Sequence, residues 1–118
     1  MVGKNSGSKF LRVVTQHACA AGTGAYILEC GPRQCEILPS GVNKGTGVLR
    51  LLAHLGSTPA ETMAIGDAEN DIEMLQVVAV GVAMGNAGEA TKAAADFVVA
   101  TCDCDGVAEA VRRFVFHE

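Results

Sequence analysis

From Lys44 onward the apolar positions alternate between two rhythms. Over residues 44–55 they fall at 48, 49, 51, 52 and 55, the spacing of one helical face, and Gly56 ends the run. Thr58-Pro59-Ala60-Glu61 reads as a loop or short turn. Residues 62–65 form a short apolar stretch that predicts a buried strand ending at Gly66. The pattern then predicts a helix over 70–77, with Ile72, Met74 and Leu75 inward, and a strand over 78–83. A helix over 87–95, a strand over 97–100 and a last helix over 106–116 complete the series.

Helices and strands that alternate in this way make a parallel sheet with right-handed crossovers and helices on its faces. The strands are continuous apolar runs, as expected where both faces are covered. Upstream the rhythm is different. Residues 1–9 are small and polar and read as a disordered start, 10–16 alternate as a strand, and 17–24 are rich in Ala and Gly and fit no single element. Residues 25–30 and 34–38 are β-like runs joined by Gly31-Pro32-Arg33, a hairpin signal. There is no internal repeat.

At 118 residues the chain suits one domain with a modest core. Trp is absent and aromatics make up 4%, so that core is built from Val, Ala, Leu, Ile and Met. The formal charge of −4 argues against a nucleic-acid surface, which needs clustered Lys and Arg; Arg112-Arg113 fits the polar face of the last helix. No apolar run has transmembrane length and the start does not resemble a signal peptide, so the expected location is cytoplasmic, without a membrane partner. The five cysteines lack Cys-x-x-Cys spacing, and no His sits at zinc-finger distance. Reduced thiols are the better reading.

In such sheets, ligands bind beyond the carboxyl ends of the strands. Gly66-Asp67-Ala68-Glu69-Asn70-Asp71 falls there. Two carboxylates four residues apart suit Mg²⁺, which takes one or two protein carboxylates and keeps several waters. The alternative is that Asp67 simply caps a helix. Asn70 is placed to orient a carboxylate or touch a phosphate oxygen. Lys44, among small residues at a helix start, is either a counter-charge for a phosphoryl group or an ordinary exposed lysine. The Gly-x4-Gly-Lys-Ser/Thr spacing of a P-loop is missing. Asn86, at the end of the next strand, faces the same crevice, caps the next helix, or does both.

Taken in order, Lys44, then Ile65 to Leu75 as Ile-Gly-Asp-x-x-Asn-Asp-x-x-Met-Leu, then Gly81 to Ala87, Ala95-Asp96 and Asp105-Gly106-Val107, the chain resembles haloacid dehalogenase superfamily phosphatases of the Cof type. The resemblance runs from about Glu36 to the C-terminus. It implies a three-layer Rossmann-like core over 39–118, with 1–38 a disordered start plus a remnant of cap strands. It implies hydrolysis of a phosphorylated small molecule through an aspartyl-phosphate. Lys44 would steady the phosphoryl group and the nucleophile. Asp67 would ligate Mg²⁺ directly, and Asp71 would bind it through water or orient it. Asn70 and Asn86 would contact the substrate or the groups behind the ligands.

The family's Asp-x-Asp-Gly-Thr/Val nucleophile motif does not precede Lys44, and most of the cap is missing. The chain therefore looks like the C-terminal part of such an enzyme, inactive or weak alone. Asp103-Cys104-Asp105-Gly106-Val107 fits the nucleophile pattern, which makes Asp103 a candidate, although the family carries a similar Asp-Gly-Val there before its last helix. With the neighbouring strand absent, the strand before Asp67 becomes a sheet edge, and the expectation is a homodimer or a partner that covers it. A non-catalytic interaction module is the alternative function. A nucleotide-binding Rossmann half is disfavoured, because no Gly-x-Gly-x-x-Gly follows a strand.

Overall fold

The computed structural model describes residues 24–29 and 35–118. The expectations for residues 1–23 and for the Gly31-Pro32-Arg33 connection lie outside them. The chain divides into two compact units, Met1–Val42 and Asn43–Glu118.

In the first unit, β1 (Tyr26–Glu29) pairs antiparallel with β2 (Cys35–Leu38), with Tyr26 opposite Leu38 and Glu29 opposite Cys35. The two β-like runs of the sequence are these strands. The Tyr26 hydroxyl donates to the Val42 carbonyl at 2.7 Å.

The second unit opens with α1 (Lys44–Leu55), which spans the predicted residues. Its ends are set by side-chain chemistry. Asn43 Oδ1 accepts the Thr46 N–H at 2.9 Å, and Thr46 Oγ1 accepts the Asn43 N–H at 3.1 Å. This reciprocal capping satisfies donors that the first turn leaves open. At the other end Gly56 takes φ 70°, a left-handed turn that glycine adopts without a side-chain clash, and its N–H returns to Leu52 and Ala53. Gly45 and Leu52 are buried and Val48 is half-buried, whereas Leu49, Leu51 and Leu55 are exposed.

Three parallel strands follow: β3 (Met63–Gly66), β4 (Val80–Ala83) and β5 (Phe97–Val98), in the order β3-β4-β5. α2 (Ile72–Val77) and α3 (Glu89–Ala94) connect the strands, and α4 (Gly106–Val111) follows β5 and continues into a wider π turn, Arg112–Phe116. Strand side chains alternate between faces. Met63, Ile65, Val80 and Val82 pack with Ala110 and Phe114 from the last helix. Ala64, on the opposite side of β3, packs with Leu75 and Val78 and with Val48 of α1. Helices thus cover both faces, and the fold is α/β in three layers.

β4 and β5 are shorter than their apolar runs, and β3 keeps its expected length but is shifted by one residue to include Gly66. Val78 is a buried cap residue rather than the strand's start, and the Ala79 N–H donates to the Pro59 carbonyl. The predicted 70–77 helix begins as a tight 3₁₀ turn, Glu69–Asp71, before α2 takes over. Among the described residues, β3 is paired on one side only and forms an edge of the sheet.

Candidate functional site

The parallel register puts the ends of β3, β4 and β5 on one rim of the sheet. Asp67 follows β3, Asn86 stands in the loop after β4, and Asp103 lies in a 3₁₀ turn, Cys102–Cys104, after β5. These are the positions where an α/β sheet presents ligand-binding groups.

Asp71 is the organising side chain of the rim. It is buried, and both of its oxygens are engaged. Oδ2 accepts the N–H of Asp67 at 2.9 Å and that of Ala68 at 3.2 Å, and Oδ1 accepts Lys44 Nζ at 2.6 Å. Burial by itself raises the carboxyl pKa. The Lys44 hydrogen bond, then the Asp67 and Ala68 N–H groups, then the lysine's charge outweigh burial and hold Asp71 below the ordinary aspartate value. Asp71 is therefore the carboxylate that folds back onto the strand end.

Two glycines permit this geometry. A Cβ on Gly66 would stand 2.5 Å from Asp71 Cβ, so only glycine leaves room for the returning side chain. A Cβ on Gly45 would stand 2.8 Å from the Glu73 carbonyl oxygen, so only glycine lets the start of α1 approach α2 this closely. The approach is what brings Lys44 to Asp71 across 27 residues of chain. The lysine side chain remains 51% exposed, against 6% for the aspartate, so its charge is available to the rim.

Asp67 is exposed, and among the described residues no hydrogen bond or ion pair holds its carboxylate. With Asp71 engaged, the exposed Asp67 carboxylate is an oxygen donor at this end of β3 accessible to a cation. No group of three or more His, Cys, Asp or Glu residues gathers as a cage among the described residues. A single carboxylate, with Asp71 behind it, still fits Mg²⁺, which completes its shell with water and phosphate oxygens. Asn70 is half-buried in the Glu69–Asp71 turn.

Asn86 departs from its expected capping role. The N-cap of α3 is Gly88, and Asn86 Oδ1 instead accepts the Cys102 N–H at 2.9 Å. It clasps the loop after β4 to the loop after β5. The second loop is also held by Glu109, whose Oε2 accepts the Ala100 N–H at 2.8 Å. Asp103 is exposed on this loop, and β4 lies between its strand and that of Asp67. Sequence reasoning missed the Asn86 clasp and the Glu109 brace, because neither leaves a signal at fixed spacing. The shared rim and the Lys44–Asp71 pair bring together what the motifs listed separately along the chain.

A family model for haloacid dehalogenase-like hydrolases matches residues 8–111. The chloroplastic endoribonuclease YBEY of Arabidopsis thaliana is 50% identical over 97 residues, covering 82% of this chain and 17% of that protein. A phosphoglycolate phosphatase of Methanoculleus marisnigri is 47% identical over 74 residues, covering 63% of this chain and 32% of that protein. Among solved structures, a haloacid dehalogenase-like hydrolase from Bacteroides thetaiotaomicron superposes with a TM-score of 0.77 at 37% identity, covering 91% of this chain and 40% of that one. The chain thus spans well under half the length of each of these three.

Proposed function

The chain belongs to the haloacid dehalogenase-like hydrolase family, and on that premise we propose that it is the C-terminal part of the core of a Mg²⁺-dependent phosphatase acting on phosphate monoesters of small molecules. The observation that carries this reading is the Lys44–Asp71 pair at 2.6 Å beside the open Asp67 carboxylate, on the ligand-binding rim of a parallel sheet.

Mg²⁺ bound at Asp67 supplies Lewis-acid neutralisation of phosphoryl oxygens. The chain's own groups do the rest. Lys44 is a point charge held in place by Asp71, and it offers N–H donors to a phosphoryl oxygen and to the attacking carboxylate. Asp71, kept ionised by its partners, fixes Lys44 and the turn that carries Asp67. Asn70 and Asn86 support this frame; Asn86 does so by holding the loop after β5.

Hydrolysis through an aspartyl-phosphate needs a nucleophilic carboxylate within reach of Lys44 and Asp67. Asp103 stands in the loop after β5, and β5 is two strand spacings, roughly 10 Å at about 4.8 Å each, from β3. The outer side of β3 is the nearer place for a strand bearing that aspartate. The 118 residues carry no Asp-x-Asp motif before Lys44, so these residues by themselves are expected to be weak or inactive.

The test is Mg²⁺-dependent hydrolysis of an aryl phosphate, together with Mn²⁺ binding followed by electron paramagnetic resonance, on the chain and on Asp67→Asn. The expected result is weak metal binding that disappears in the variant, with turnover no higher than the variant's. Metal binding that survives Asp67→Asn overturns the metal assignment. Turnover that vanishes in Asp103→Asn would return the nucleophile's role to Asp103.

A non-catalytic reading is favoured by one observation. The outer edge of β3 is uncovered among the described residues, and Leu51 and Leu55 of α1 are 55% and 65% exposed. Unpaired strand edges and apolar side chains together favour association with a second copy or a partner chain. In this reading the retained Lys44, Asp67 and Asp71 mark descent, and the surface is the function.

A further inference from the structure

We propose that Cys102 and Cys104 form a thiol–disulfide exchange site for low-molecular-weight disulfides, and that closing their bond opens the turn that carries Asp103. Both thiols are free and exposed, and they flank Asp103 on the ligand-binding rim. Cys35, the other free thiol among the described residues, belongs to the separate first unit. The site stands apart from Lys44, Asp67 and Asp71 and does not depend on the reaction proposed above.

The turn has a closed form held by identifiable bonds. The Cys102 N–H donates to Asn86 Oδ1 at 2.9 Å, and the Cys104 N–H donates to the Thr101 carbonyl at 3.0 Å. The Gly106 N–H reaches the same carbonyl at 3.1 Å. To close this arrangement Asp105 adopts φ 57°, a left-handed conformation that costs a residue with a side chain. In a 3₁₀ turn of three residues per revolution, side chains two apart point about 120° away from each other. A disulfide needs Cβ atoms about 3.5–4.5 Å apart. Two residues of chain allow that separation, whereas the divergence of side chains in a regular 3₁₀ turn does not. Forming the bond therefore releases the Cys104 N–H from Thr101 and relaxes the Asn86 clasp.

The chemistry balances without any group from elsewhere in the protein. One thiolate attacks a sulfur of the external disulfide; that S–S bond breaks, a mixed disulfide forms, and one small thiol leaves with a proton. The second thiolate then attacks the protein sulfur of the mixed disulfide and expels the second small thiol. The protein dithiol loses two electrons and two protons, and the external disulfide gains them. A small, strained ring is readily reduced, so the site responds reversibly to the surrounding thiol–disulfide ratio.

The chain is equilibrated with reduced and oxidised glutathione at stepped ratios, quenched by alkylation and digested with trypsin. Cleavage after Lys92 and Arg112 releases one peptide with both cysteines and no others. The expected product at oxidising ratios is this peptide with an internal disulfide, unalkylated and two hydrogens lighter, which returns to the dithiol on reduction. Cys102→Ser and Cys104→Ser should each stop at one glutathione adduct. Amide exchange at Cys104 and Cys102 should be about tenfold faster in the oxidised chain. Alkylation of both thiols at every ratio, separate adducts on each, or a cross-link to Cys19, Cys30 or Cys35 overturns the site. Unchanged amide exchange on oxidation overturns the opening of the turn.

Discussion

Asp71 commits both oxygens to the protein itself, and that decides how the rim responds to pH. Its folded-state pKa lies below the ordinary value of 3.8. A depressed carboxylate contributes stability that is fully present above the unfolded-state pKa and is lost as pH falls through the lower folded-state value. Asp71→Asn should therefore lower stability at neutral pH by about 1–3 kcal/mol, through weaker bonds to Lys44, Asp67 and Ala68. It should also flatten the decline in stability below pH ~4. Urea unfolding at stepped pH reads both effects; an unaltered acid slope would show that Asp71 is not the titrating group. The lysine's half-exposed side chain keeps the ion-pair part of this small. Gly66 gives a steric counterpart. Gly66→Ala inserts a methyl 2.5 Å from Asp71 Cβ and 2.9 Å from its Oδ2, and should cost about 1–3 kcal/mol. Thermal unfolding with no loss of stability would mean the turn relaxes freely. Lys44, Asp67 and Asp71 were all legible as charged groups among small residues. Their division of labour was not, because 27 residues of chain separate the lysine from the aspartate that holds it.

At the scale of elements, local chemistry read well where side chains terminate structure and poorly where strands pair. The bounds of α1 match the sequence expectation, because Asn43, Thr46 and Gly56 satisfy its terminal groups within a few residues. Asn43→Ala removes the acceptor for the Thr46 N–H and should cost about 1 kcal/mol in urea unfolding. An effect near zero would show that the Thr46 hydroxyl alone fixes the start of the helix. By contrast, β5 keeps only Phe97 and Val98 of the four-residue run. Its length is set by which residues β4 can pair with, and Val82 and Ala83 are the partners available to it. Asn86 shows the same limit. It has the composition of a cap, yet its partner is an amide 16 residues away, and the cap position falls to Gly88.

At the scale of the whole molecule, the sheet has an uneven finish. β4 is paired on both sides, whereas among the described residues β3 offers an open edge, and α1 separately exposes Leu51 and Leu55. If that surface drives association, sedimentation of the chain should show a concentration-dependent dimer, and Leu55→Glu should weaken it. A monodisperse monomer at every concentration would count against an interaction role. The haloacid dehalogenase-like membership, the parallel α/β alternation and the identity of the charged rim residues were determined by the sequence itself. Hydrophobic periodicity, capping residues and closely spaced carboxylates are local, and local order is written directly in the chain. Only the tertiary structure decided that Asp71 anchors Lys44 and leaves Asp67 open, that Asn86 clasps the loop of Cys102, and that Asp103 stands two strands from β3. Each of these depends on distances between segments far apart in sequence, and such distances are fixed by how the helices and strands pack.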